Sequence, residues 1–285
     1  MDGFYSIWTE PFKIKHKDTD FFISDYDMLT VILSAAVYKK NNGKVALYGD
    51  KDGLSFFVKN GFEDLFDDGL TEIKPPQKIN PKVFWAGGKI ESLKSLKKSA
   101  VMIDLDLIIW KNLDEFFKGA DIYGIHRENI RPEIYPDLSF FRMKKNYKFP
   151  EGLDKEALPL NTAMLYIKDL DYTHKYADES LRFMTGCSEE NENLKHMVFA
   201  EQRLLPMMAS RDGKIIKTMF PLGEDIGIQD YFTHIWGHKN ILRYNSDERK
   251  KYCCRIIKRL MNDYPDHMKF VEGKDMFSEY INGLG

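Results

Sequence analysis

The sequence predicts an α/β fold with a mostly parallel central sheet flanked by helices, and two observations carry that prediction. The first is the alternation of short apolar runs with helix-length segments in the order β-α-β-α-β over residues 3–106. The second is the run Ser99-Ala100-Val101-Met102-Ile103, which lacks the polar alternation of a half-exposed strand and so reads as a strand covered on both faces. It leads into Asp104-Leu105-Asp106, and a second apolar run, Leu107-Ile108-Ile109-Trp110, follows.

Gly3 to Trp8 reads as the first strand, with a polar stretch after it through Asp20. A helix is expected from Ser24 or Asp25, with Leu29, Ile32, Leu33, Ala36 and Val37 on one face and a stop at Asn42-Gly43. Lys44 to Tyr48 is a short strand, Asp52 to Asn60 a short helix, and Thr71 to Lys74 a third strand before Pro75-Pro76. A helix over about 84–97 then feeds the aspartate-bearing strand. Beyond it, Ala120 to His126 and Thr162 to Ile167 are strand-like, separated by the polar, proline-marked segment Arg131 to Pro159. Asp171 to Thr185, Leu194 to Ala209 and Asp247 to Asn262 read as helices, and Lys214 to Met219 as a strand. No repeat, low-complexity tract or linker divides the chain, so its 285 residues are expected to form a single domain.

Asp104 and Asp106 are the chemical feature of this chain. Residues i and i+2 of a strand share a face, so the two carboxylates are expected to point together at the carboxyl end of the sheet. Open α/β sheets bind their ligands at that end. Two hard oxygen ligands there suit Mg²⁺ or Mn²⁺, with phosphate oxygens at the remaining positions.

Composition narrows the function classes. A hydrophobic content of 43% with 30% charged residues is that of an ordinary globular protein. A formal net charge of -2 supplies no basic field, so nucleic acid is not an expected partner. Met1-Asp2-Gly3-Phe4-Tyr5 has neither a basic nor an apolar signal region, and no apolar run is long enough to span a membrane. Cys187, Cys253 and Cys254 lack zinc spacing and read as reduced thiols, so a cytoplasmic location is expected. The basic helix with Arg249, Lys250, Lys251, Arg255, Lys258 and Arg259 reads first as a solvated face. Its second reading is a weak peripheral contact with the inner membrane face. His126-Arg127-Glu128 reads as a solvated strand end, and Tyr5, Trp8 and Phe12 mainly as core.

Four segments in order make the chain resemble nucleotide-sugar glycosyltransferases of the GT-A fold, most closely the family-8 type. They are Phe84-Trp85-Ala86-Gly87-Gly88-Lys89; Val101 to Asp106 with Leu113-Asp114-Glu115-Phe116; Leu160-Asn161-Thr162-Ala163-Met164-Leu165-Tyr166-Ile167; and Thr233-His234-Ile235-Trp236-Gly237-His238-Lys239. Ala200-Glu201-Gln202-Arg203 resembles the acidic-glutamine pair that the family sets beneath the donor sugar. Three departures stand: Ala163 in place of glycine, Glu201 in place of aspartate, and Lys239 one residue closer to Gly237 with Asn240-Ile241 after it.

The resemblance implies a Rossmann-like GT-A domain, with about 1–125 binding the donor and about 126–285 forming the acceptor side and completing the metal site. It implies Mn²⁺ or Mg²⁺ held by Asp104, Asp106 and His234. Lys89, Asp104, Asn161, Gly237 and Lys239 would meet the donor, and Glu201 or Gln202 would be catalytic. The reaction implied is transfer from a UDP-sugar to a growing surface glycan with retention of anomeric configuration. Inversion, with Glu128 or Asp225 as the base, is the alternative stereochemistry. Three other functions compete: a HAD-type phosphohydrolase built on the D-x-D strand; a nucleotidyltransferase on a similar α/β core, which would normally carry a Gly-rich, basic loop where Thr9-Glu10-Pro11-Phe12 stands; and an inactive nucleotide-sugar or carbohydrate-binding protein of the same fold.

Overall fold

A computed structural model describes residues 1–188 and 193–283. In chain order the strands and helices are β1 (Gly3–Ile7), α1 (Glu10–Lys15), α2 (Asp25–Asn41), β2 (Val45–Gly49), α3 (Lys51–Lys59), β3 (Leu70–Glu72), α4 (Gly87–Ser95), β4 (Val101–Ile103), β5 (Leu107–Ile109), β6 (Ile122–Arg127), β7 (Met164–Ile167), α5 (Leu170–Gly186), α6 (Asn193–Val198), α7 (Leu204–Arg211), β8 (Ile216–Leu222), β9 (Phe232–His234), α8 (Lys239–Tyr244), α9 (Ser246–Asp263) and α10 (Ser278–Asn282).

Seven strands form one sheet in the order β3-β2-β1-β4-β7-β6-β8. All its pairings are parallel except the two made by β7, which runs against both β4 and β6. The expected mostly parallel sheet is therefore present, with a single reversed strand next to the aspartate-bearing one. Side-chain alternation along the strands builds two cores. Tyr5, Ile7, Val101, Ile103 and Met164 lie in the core shared with α2, while Phe4, Met102 and Leu165 lie in the core shared with α4, α5 and α7.

The structure revises three readings. Helix α2 is buried on every side, from Met28 continuously to Tyr38, where one apolar face was expected. The sheet covers its inner side, and the C-terminal helix α9 covers the outer, with Thr30 Oγ1 and Tyr252 Oη 2.8 Å apart. The segment after β1 holds a short helix, α1, whose Pro11 suits a first helical turn. The helix expected over Leu194 to Ala209 is broken by a π-helical turn, Phe199–Arg203. Among the described residues no helix is long and apolar enough to cross a membrane.

Candidate metal and ligand site

The aspartates lie past the carboxyl end of β4, in a tight turn that the Leu107 amide closes by donating to the Asp104 carbonyl at 3.0 Å. Strand alternation therefore does not align them. The turn does, and it redirects the chain into β5, which leaves the main sheet and pairs antiparallel with β9. That small sheet brings in the distant histidine. Leu107 stands opposite His234, and the Ile235 amide donates to the Asp106 carbonyl at 3.1 Å. One side-chain ligand atom from each of Asp104, Asp106 and His234 then falls within 4.8 Å of the others.

Two lysines complete the cluster from opposite sides. Lys89 Nζ lies 2.6 Å from Asp104 Oδ1 and 2.8 Å from Glu201 Oε1. Lys239 Nζ lies 3.1 Å from Asp106 Oδ2 and 3.3 Å from Asp27 Oδ1. Lys89 reaches in because α4 starts hard against the end of β1. A Cβ on Gly88 would stand 2.5 Å from Trp8 Cβ, so only glycine permits that approach. Lys239 is carried by the first turn of α8, directly after the β9 segment that supplies His234.

Glu201 and Gln202 sit in the π-helical turn. Such a turn shifts the intrahelical hydrogen bonds and frees carbonyls that need other donors. Tyr176 Oη directs its one proton to the Glu201 carbonyl at 2.9 Å, with the Ala200 carbonyl also within reach at 3.1 Å, and Ser180 Oγ donates to Ala200 at 3.0 Å. Thr162 Oγ1 donates to Glu201 Oε1 at 3.2 Å, and Tyr135 Oη to Gln202 Oε1 at 2.7 Å. Asn161 spends its Oδ1 on the Ala163 amide at 3.2 Å, just before β7. Gly237 is exposed, with open space where a Cβ would stand, so packing alone does not demand glycine there.

The electrostatics split the two aspartates. Burial, reinforced by Asp106 and Glu201, pushes the Asp104 carboxyl above the usual carboxylate range in spite of Lys89. Burial acts on Asp106 too, but His234 and Lys239 outweigh it and hold this carboxyl well below that range. Burial opposes the charge of both lysines as well. The carboxylates around Lys89 and Lys239 more than compensate and keep them protonated.

These residues fit a divalent cation. Asp104 Oδ1 and His234 Nε2 are buried without an aligned hydrogen-bond partner, although Lys89 and Asp106 stand close to them. Four carboxylates (Asp27, Asp104, Asp106 and Glu201) face two lysines, which leaves two negative charges for a dication to neutralise. Mixed carboxylate and imidazole ligation suits Mn²⁺ or Mg²⁺.

The fold thus unites Lys89, Asp104, Asp106, Glu201, His234 and Lys239, while Asn161, Gln202 and Gly237 stand on flanking segments. Asp27 escaped the sequence reading because Ser24-x-x-Asp27 is also a helix start, and the Ser24 hydroxyl does donate to Asp27 Oδ2 at 2.6 Å. Thr162 and Tyr135 carried no local signal. Of the N-terminal aromatics, Tyr5 is core, bonded to Ser34 Oγ at 2.8 Å. Trp8 instead lines a cavity of about 470 Å³ at the carboxyl ends of β1 to β3, with Lys13, Asp50, Lys51 and Pro75 among its walls.

The solved structures that the chain is similar to include an apo structure of the bifunctional glycosyltransferase WbbM, at 12% identity and a TM-score of 0.42, over 76% of this chain and 38% of that one. Mouse xyloside xylosyltransferase 1 in its apo form is similar at 10% identity and a TM-score of 0.35, over 77% of this chain and 85% of that one. An active-site mutant of LgtC is similar at 10% identity and a TM-score of 0.37, over 70% of each chain. The chain spans well under half of WbbM. At these identities and scores, function has to be read from the chain's own residues. No curated protein matches the chain in sequence. The model of one family does match, over residues 1–273, and the chain belongs to that family: DUF6734, a family of unknown function.

Proposed function

We propose that the chain is a metal-dependent glycosyltransferase that moves a sugar from a nucleoside diphosphate, UDP by preference, to a glycan acceptor with retention. One observation carries the reading: Asp104, Asp106 and His234 converge, with Lys89 and Lys239 beside them, past the carboxyl ends of the parallel strands. Phosphate-bearing ligands bind α/β sheets at that place.

Asp104, Asp106 and His234 would hold Mn²⁺ or Mg²⁺, which supplies Lewis-acid neutralisation of the diphosphate. Lys239 adds a point charge on the same side of the cluster and stabilises the leaving group as its charge develops. The bond from the anomeric carbon to the phosphate oxygen breaks, and the acceptor hydroxyl attacks from the face that the diphosphate leaves. Its proton passes to the departing phosphate oxygen. Positive charge on the sugar is met by Glu201, which pairs with Lys89 at 2.8 Å, and by the Gln202 and Asn161 side chains. The Trp8 cavity offers room for the base. In this reading about 1–125 binds the donor and about 126–285 forms the acceptor side and contributes His234. A surface glycan as acceptor and a cytoplasmic location belong to the same proposal, with a weak peripheral membrane contact through the basic helix α9 as the second reading of that helix.

The test is incubation with a UDP-sugar, Mn²⁺ and a panel of glycosides, with the anomeric coupling of the product read by NMR. A retained linkage is expected. An inverted one overturns the stereochemistry, and no UDP release from any donor leaves a binding protein in place of an enzyme.

A further inference from the structure

Arg127 ends β6 without the solvation expected of it. A register shift between His126 and Arg127, where β6 meets β8, marks a bulge that turns the strand end. The Arg127 side chain lines a cavity of about 330 Å³ together with Ser210, Lys214 and Thr218. Its Nη1 is buried without a partner, and among the described residues no carboxylate pairs with its guanidinium. Burial, and then the neighbouring Arg203, push this guanidinium down to about 10. Arg203 itself is anchored, since its two terminal nitrogens donate to the Ala157 and Lys155 carbonyls. The carboxylates nearby, Glu156 and Asp154, act on Arg203, and Asp154 also accepts the Ser210 hydroxyl at 2.6 Å.

A half-buried arginine beside a second arginine, without a counter-charge, is an unfavourable arrangement for the protein alone. A planar guanidinium on a residue that lines a cavity is at the same time matched to bidentate recognition of an oxyanion. Lys214 adds a second positive charge at the rim, 3.6 Å from Asp169.

We propose that Arg127, with Lys214 and the Thr218 hydroxyl, forms an oxyanion site that takes a phosphate or carboxylate group distinct from the donor diphosphate. Glu201 of the π-helical turn pairs with Lys89 at the metal cluster, while Arg203 of the same turn stands near Arg127 at the proposed site. This site stands whether or not the chain transfers sugars, because it needs neither the metal nor the donor.

The test measures melting temperature and ligand affinity with inorganic phosphate, glucose 6-phosphate, glucuronate and glucose, against sodium chloride at equal ionic strength. Phosphate should raise the melting temperature of the native protein more than chloride does, and glucose should not. Tighter binding of glucose 6-phosphate or glucuronate than of inorganic phosphate assigns the site to a ligand's anionic group, and equal binding assigns it to free phosphate. Arg127→Met should lose the phosphate-specific gain and melt about 2–4 °C higher without ligand, because a buried unpaired charge is gone. If that variant does not fold, phosphate titration of Arg127→Lys decides, with an expected loss of at least threefold in affinity. An equal phosphate gain in Arg127→Met, or unchanged affinity in Arg127→Lys, overturns the proposal.

Discussion

Replacing Asp106 by Asn tests the metal centre at its most connected residue. Asp106 is 8% exposed, and its two carboxylate oxygens face His234 Nε2 at 3.3 Å and Lys239 Nζ at 3.1 Å. Asparagine keeps the shape and removes one of the two surplus negative charges. The smallest effect can be bounded from the cluster itself. Its ligand atoms lie within 4.8 Å of one another, so a dication inside it is no farther than about that from Asp106. At that distance, and with the full dielectric of water, a unit charge and a double charge attract by about 1.7 kcal/mol. A closer ligand in a drier site is worth more. Loss of the charge should therefore weaken metal-dependent UDP binding at least tenfold, or about 1.4 kcal/mol. Calorimetric titration of UDP with Mn²⁺ into native protein and Asp106→Asn reads this directly, with melting temperatures to show that both are folded. UDP affinity that is unchanged, or equally lost without Mn²⁺ in both proteins, refutes the reasoning.

Three further outcomes follow from the packing around the site. Gly88→Ala should lower stability by about 1–3 kcal/mol in denaturant titration, because its new Cβ meets the backbone-anchored Trp8 Cβ; Gly237→Ala, with open space around it, should leave stability unchanged. Tyr176→Phe strips the Glu201 carbonyl of its donor in the π-helical turn and should cost about 1–3 kcal/mol, read in the same way. Burial, with Lys39 and Lys269 nearby, pushes the His267 imidazole down to about 4. A folded-state value below the unfolded one means that stability is held above about pH 6.5 and lost as pH falls towards 4. The melting temperature should drop over that window, and His267→Phe, which keeps the ring contacts with Tyr264 and Phe270, should flatten the drop.

The layered α/β order and the strand leading to Asp104-Leu105-Asp106 were legible in the sequence, because both are written in local periodicity and in residues next to one another along the chain. His234 as a third metal-binding candidate came from the resemblance of its segment to a known family, not from periodicity. The small sheet of β5 and β9 was not legible, although both halves were visible as Leu107 to Trp110 and Thr233 to Lys239. Strand pairing between segments so far apart is decided by what the intervening chain leaves uncovered, and a single sequence does not show that. The same holds for α2, whose outer face is apolar only to the point of being ambiguous until α9 covers it. The π-helical turn under Glu201 depends on Tyr176 and Ser180, which sit on another helix and supply the donors that let the backbone depart from α geometry. Arg127 read as a solvated strand end because its residue type is usually exposed. Only the bulge in β6 and the closeness of Arg203 turned it into a buried charge without a partner. Position along the chain thus carried the elements and the chemistry. Long-range contacts decided which side chains share a site and what surrounds each charge.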